Sequence, residues 1–133
     1  MRHATTARAL TVAVLLVAAG ASAQLDKLKD TTPAERAKAQ TAMLKSRLGL
    51  TEEQTSKVAA LNQKYAEKME PVIKGSEGPL VKMRQAKGIE QEKEAELKHV
   101  LSPEQFEKFL AGKEQMREEL AERIKKQRAA EHQ

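Results

Sequence analysis

Two short segments, Leu50-Thr51-Glu52-Glu53-Gln54 and Leu101-Ser102-Pro103-Glu104-Gln105, each write a helix end and a helix start into five residues. A hydroxyl residue at the N-cap accepts from a backbone N–H of the first turn, and a Gln three residues later reaches back to the N-cap N–H. The leucine before each cap is an apolar residue that can pack under the turn. A chain bearing this signal twice has to stop and restart a helix twice, which excludes one long rod.

A third start, Thr32-Pro33-Ala34-Glu35, combines a hydroxyl cap, proline at the first helical position and a carboxylate at the third. The spacing predicts a first helix from there to about Leu48, with Gly49 free to take the left-handed conformation that closes a helix. The second helix opens at Thr51 and carries Val58, Leu61, Tyr65, Met69, Val72 and Ile73 at steps of three and four. Pro71 lacks an N–H and is expected to kink that helix or end it early. Lys74 to Gly78 reads as a loop. Pro79 starts a third helix with Leu80, Met83, Ile89, Leu97, Val100 and Leu101 as its apolar residues, weakened at Gly88. The fourth opens at Ser102 and carries Phe106, Phe109, Leu110, Met116, Leu120 and Ile124 on one side. Charges fill the remaining faces, with Glu94 and Lys98 spaced as an i,i+4 pair. Nothing alternates with period two, so strands are not expected and the fold class is all-α.

Residues 1–23 have a different character. Arg2 and Arg8 precede an uncharged apolar run from Leu10 to Ala19, and Ala21-Ser22-Ala23 supplies a small-x-small cleavage pattern before Gln24. The run is about ten residues, against the roughly twenty that span a bilayer. The reading is a cleaved export signal (1–23), a flexible arm (24–31), one helical domain (32–127) and a frayed tail (128–133), with no stable membrane insertion. One small domain excludes a multidomain enzyme, and with no catalytic set evident the chain is not expected to be an enzyme. Cysteine is absent, which removes disulfides, thiol chemistry and Cys-based zinc sites. Tyr65, Phe106 and Phe109 are the only aromatics, too few for base stacking. The formal net charge of +5 comes from cations interleaved with glutamates, as on solvated helix faces, so nucleic acid is not an expected partner. Leu, Ile, Val and Phe make up just under a fifth of the chain after residue 23, so the core is thin and a partner can help complete it.

With these features together, the sequence resembles the Spy/CpxP family of periplasmic proteins, marked by paired LTxxQ motifs. Leu50, Thr51 and Gln54 match the first motif; Leu101 and Gln105 match the second, with Ser102 keeping the threonine's hydroxyl. The likeness covers roughly residues 33–127. It implies a curved four-helix hairpin that forms an antiparallel, cradle-like homodimer in the periplasm. It also implies an ATP-independent chaperone of unfolded or misfolded envelope proteins, needing no cofactor. A regulator docking on the periplasmic domain of a stress sensor kinase is the alternative, and some members respond to zinc.

The six motif residues are read as structural, since a capping side chain is already occupied by backbone N–H groups. No catalytic set can be assembled: Asp26 and Asp30 are the only aspartates and no Ser-His-acid group is evident. Glu96 and His99 have the Glu-x-x-His spacing of di-iron bundles, with Glu92 a turn earlier, but the chain has one copy where two are needed. The candidate client surface is composed of Met69, Ile73, Leu80 and Met83, ringed by Lys68, Lys82 and Arg84. Packing of these apolar residues within a core or dimer interface is the competing explanation. Mass spectrometry of protein recovered from the cell envelope is expected to find Gln24, free or cyclised, as the first residue. An intact Met1 would overturn the export reading.

Overall fold

The computed structural model describes residues 29–132, so the signal-like segment 1–23 lies outside the described residues. Four helices account for nearly all of them: α1 (Pro33–Leu48), α2 (Glu52–Lys74), α3 (Pro79–Val100) and α4 (Pro103–Glu131). Among the described residues no helix is long and apolar enough to cross a membrane. The all-α expectation therefore holds.

Each junction follows from its local chemistry. Thr32 Oγ1 accepts from the Glu35 N–H at 3.1 Å, the hydroxyl half of a capping box. Gly49 closes α1 at φ +63°, and the Gly49 and Leu50 N–H groups both donate to the Lys45 carbonyl. Only a residue without Cβ takes that conformation without strain. Of the two outcomes expected at Pro71, a kink or an early end, the early end is not found, since α2 continues to Lys74. Pro71 is exposed, so water can serve the carbonyl that its missing N–H leaves free. α4 likewise runs on to Glu131, through the segment read as a frayed tail.

α1 and α3 both pack on α2 as antiparallel neighbours, and α4 meets α1 and α3 beyond the second junction. The core has two apolar ends. Leu44, Leu48, Leu50, Val58, Leu97 and Leu101 are buried together at the junction end, with Leu61, Val100, Phe106 and Phe109 against them. Met69, Val72, Ile73 and Ala86 form the second cluster, near the α2–α3 loop. Polar contacts lie between them. Asn62 Nδ2 donates to Thr41 Oγ1 at 2.9 Å, and Lys93 Nζ donates to Gln40 Oε1 at 2.8 Å, joining α2 and α3 to α1. Burial holds the Lys93 amine below its ordinary pKa, although Glu90 and Glu94 oppose that shift. Arg36 is buried and pairs with Glu70, whose carboxyl is held below its usual range by Lys74 and by Arg36. Glu94 pairs with Lys113 of α4, not with Lys98 of its own helix.

The inward face of α3 is only partly apolar. Lys82, Ala86, Lys93 and Leu97 are buried, whereas Leu80 and Met83 face solvent. Leu110 of α4 is also 41% exposed, so it is not part of the buried stripe that includes Met116 and Leu120.

Two glycines predict opposite outcomes. A Cβ at Gly75 would lie 2.8 Å from the Pro71 carbonyl oxygen, whereas one at Gly88 meets nothing within 4 Å. Gly75→Ala should cost about 1–3 kcal/mol by steric displacement. Gly88→Ala, inside α3, should gain up to about 1 kcal/mol from helix propensity. Urea melts of the two variants would check this contrast.

Candidate functional site

The two capping boxes are in direct contact. Thr51 Oγ1 accepts from the Gln54 N–H and Ser102 Oγ from the Gln105 N–H, at 3.1 and 3.2 Å. In return Gln54 Oε1 accepts from the Thr51 N–H at 3.1 Å, and Gln105 Oε1 from the Ser102 N–H at 2.9 Å. The glutamines then bond each other: Gln54 Nε2 donates to Gln105 Oε1 at 2.7 Å, and Gln105 Nε2 to Gln54 Oε1 at 3.1 Å. Their second N–H groups cross over, Gln54 Nε2 to the Val100 carbonyl at 3.2 Å and Gln105 Nε2 to the Leu48 carbonyl at 3.3 Å. Each side-chain amide thus uses both donors and both acceptor positions. One paired amide ties the ends of α1 and α3 to the starts of α2 and α4. Leu50 and Leu101 are buried beside it in the junction-end cluster.

The side chains of this lock are committed to each other and to backbone groups, which makes it architecture and not a ligand site. Capping explains why each box has a hydroxyl, but a Glu at the third position would cap as well as Gln. The pairing explains Gln, since only an amide donates as well as accepts. Gln54→Glu or Gln105→Glu should keep its own cap yet lose the cross-donation and place a carboxylate against an amide oxygen. A loss of about 1–3 kcal/mol is expected at neutral pH. It should shrink as pH falls and the carboxyl becomes protonated. A pH series of denaturant melts would show this, and a variant equal to the parent at every pH would exclude the mutual lock.

The proposed client residues separate into two groups. Met69 and Ile73 are 8% and 0% exposed and belong to the core, because they lie on the α2 face that α3 covers. Lys82 is also buried; its amine donates to the Ile73 carbonyl at 3.1 Å, where α2 leaves a C-terminal carbonyl unsatisfied. Lys68 is exposed but paired with Glu92 at 3.0 Å. These four are therefore removed from a free apolar surface. What remains outside is Leu80 at 68%, Met83 at 40% and Arg84, joined by Val81 at 40%, which sequence reasoning passed over. Among the described residues Arg84 and Lys87 form no ion pair. α3 also begins without a side-chain cap or an acidic residue in its first turn, so its positive end is not neutralised locally.

Glu92, Glu96 and His99 do not assemble into a metal-holding group; among the described residues no three His, Cys, Asp or Glu side chains do. Glu92 is held by Lys68, and Glu96 accepts from Lys64 at 3.0 and 3.1 Å. Tyr65 lies between these pairs, with Lys64 and Lys68 Nζ 5.1 and 5.3 Å from its ring centre. Burial, a hydrogen bond to Glu96 and the nearby carboxylates raise the Tyr65 phenol to about 12. The Glu96 carboxyl is lowered by the Tyr65 hydroxyl and by Lys64. This cluster is a seam between α2 and α3.

The chain is thus an all-α protein whose two interlocked caps fix four helix ends and whose α2–α3 tip presents apolar and basic groups to solvent. It belongs to the family described as Domain of unknown function (DUF4890), whose profile matches residues 21–109 and so includes both boxes. Searches of curated proteins and of solved structures found no match.

Proposed function

We propose that this chain is an exported, ATP-independent holdase of the Spy/CpxP type, acting in the periplasm as a homodimer on partly unfolded envelope proteins. The observation that carries this reading is the tip of the α2–α3 hairpin. Leu80, Val81 and Met83 are exposed there within one helical turn, beside the unpaired Arg84 and Lys87. Exposed apolar side chains so concentrated point to an interaction surface. Methionine adapts to varied partners because its unbranched thioether repacks easily, and the cations draw acidic polypeptide by long-range attraction. The paired boxes, which match the LTxxQ motif at Leu50, Thr51, Gln54, Leu101 and Gln105, support the family likeness.

The test is light scattering of a denatured client protein diluted from guanidinium, without nucleotide, in the presence of the chain lacking residues 1–23. Suppression of aggregation is expected at near-stoichiometric ratios. Leu80→Ser with Met83→Ser should lose at least half of that suppression, while its stability stays within about 0.5 kcal/mol, as for exposed sites. No suppression by the parent chain would overturn the proposal.

A further inference from the structure

The closing turns of α4 have little cover. Met116 and Leu120 are its last buried residues, Ile124 is half-buried, and every other described residue from Ala121 onward is exposed. Ala121 to Glu131 extend about 16 Å. The charges of α4 are sorted along its axis. From 114 to 122 there are four glutamates and one arginine; from 123 to 128 there are four cations and no acid. The helix dipole accounts for cations in the last turns, but it favours acids in the first turn, not in the middle of a 29-residue helix. Arg117 pairs with Glu114, whereas Glu118, Glu119, Glu122, Arg123 and Lys126 form no ion pair. The i,i+4 spacing allows Glu119 with Arg123 and Glu122 with Lys126 inside the helix, yet neither pair closes.

Gln115, Glu119, Glu122 and Lys126 recur at steps of four, three and four, which keeps them on one exposed side of α4, with Arg123 at its margin. That side carries its own complement. Laid antiparallel against a second copy with Glu122 opposite Arg123, it also sets Glu119 opposite Lys126, and a twofold axis repeats both pairs. Ala130 then stands opposite Gln115, a small residue that lets the helices approach. Laid parallel in register, the same side sets glutamate on glutamate and lysine on lysine.

We propose that two copies of this chain dock through this side of α4, antiparallel, with Glu119 and Glu122 of each copy on Lys126 and Arg123 of the other. The contact uses the same surface on both copies, so it closes at two. The inference rests on the homodimer in the function proposed above and gives it a seam. It does not depend on client binding at the α2–α3 tip.

The experiment is sedimentation equilibrium of the purified protein. The parent should be a dimer at low salt, and its dissociation constant should rise about tenfold or more in about 1 M salt, where screening shortens the reach of a charge to about 3 Å. Glu119→Lys with Glu122→Lys makes the four paired positions all positive, and Arg123→Glu with Lys126→Glu makes them all negative. Each double variant alone should be monomeric, with circular dichroism near the parent's because all four positions are exposed. Mixed in equal amounts, the two should recover the dimer mass, since every charge again faces its opposite. Monomeric variants that do not recover on mixing would overturn the inference. A dimer that persists in either variant alone would overturn it too, and the homodimer would then survive with a different seam. A parent chain that is monomeric at low salt overturns the seam and the homodimer together, while client holding is decided separately by the light-scattering assay.

Discussion

The Gln54–Gln105 amide pair is the contact on which the rest of the structure depends. A helix end leaves backbone carbonyls without partners and a helix start leaves N–H groups without partners. Here two ends and two starts meet at one place, and two side chains supply partners to all four. The arrangement is reciprocal, so neither glutamine is satisfied without the other. Leu48, Leu50, Leu97 and Leu101 are buried beside the pair, so the amide–amide bonds are partly shielded from water while the cap bonds face solvent. A chain with so few large apolar residues gains from such a fixed point, because each short helix then needs less of the core to hold its place.

From that point outward, packing depends increasingly on polar contacts. Asn62–Thr41 and Lys93–Gln40 bridge the helices where a larger protein would bury leucines. Beyond them Arg36 and Glu70 tie the start of α1 to α2. The far end of the α2–α3 hairpin keeps only the small cluster around Ile73, with Lys82 closing the end of α2. The interlocked bonds thus lie at one end of α2, and the exposed apolar residues Leu80, Val81 and Met83 lie near the other.

Much of the fold was legible along the chain. Thr51, Ser102 and Gly49 announced helix boundaries because caps are local, decided by residues within one turn of each other. The reading failed where the outcome depended on neighbours. Pro71 was expected to kink α2 or end it early, yet the helix continues to Lys74, because an exposed helix face tolerates the lost hydrogen bond. Glu94 looked paired with Lys98 and instead reaches Lys113, because a partner on another helix also competes for it. Of the seven residues read as a client surface, Lys68, Leu80, Met83 and Arg84 lie at the surface, while Met69, Ile73 and Lys82 do not.

The sequence by itself determined an all-α chain, the starts of its helices and the presence of two matched caps, since each rests on short-range hydrogen bonding and periodicity. Tertiary structure alone decided which side of α3 faces inward. Counting back from Leu97, which the junction end buries, the inward positions are Lys93, Ala86 and Lys82, so Leu80, Val81 and Met83 turn outward and two lysines turn in. A rule that places large apolar residues inside cannot yield that phase, because the phase is set at one end of the helix and its consequence appears several turns away. The same holds for the lock: the two boxes are visible as a repeat, but their contact across 51 residues exists only once the helices have folded back on one another.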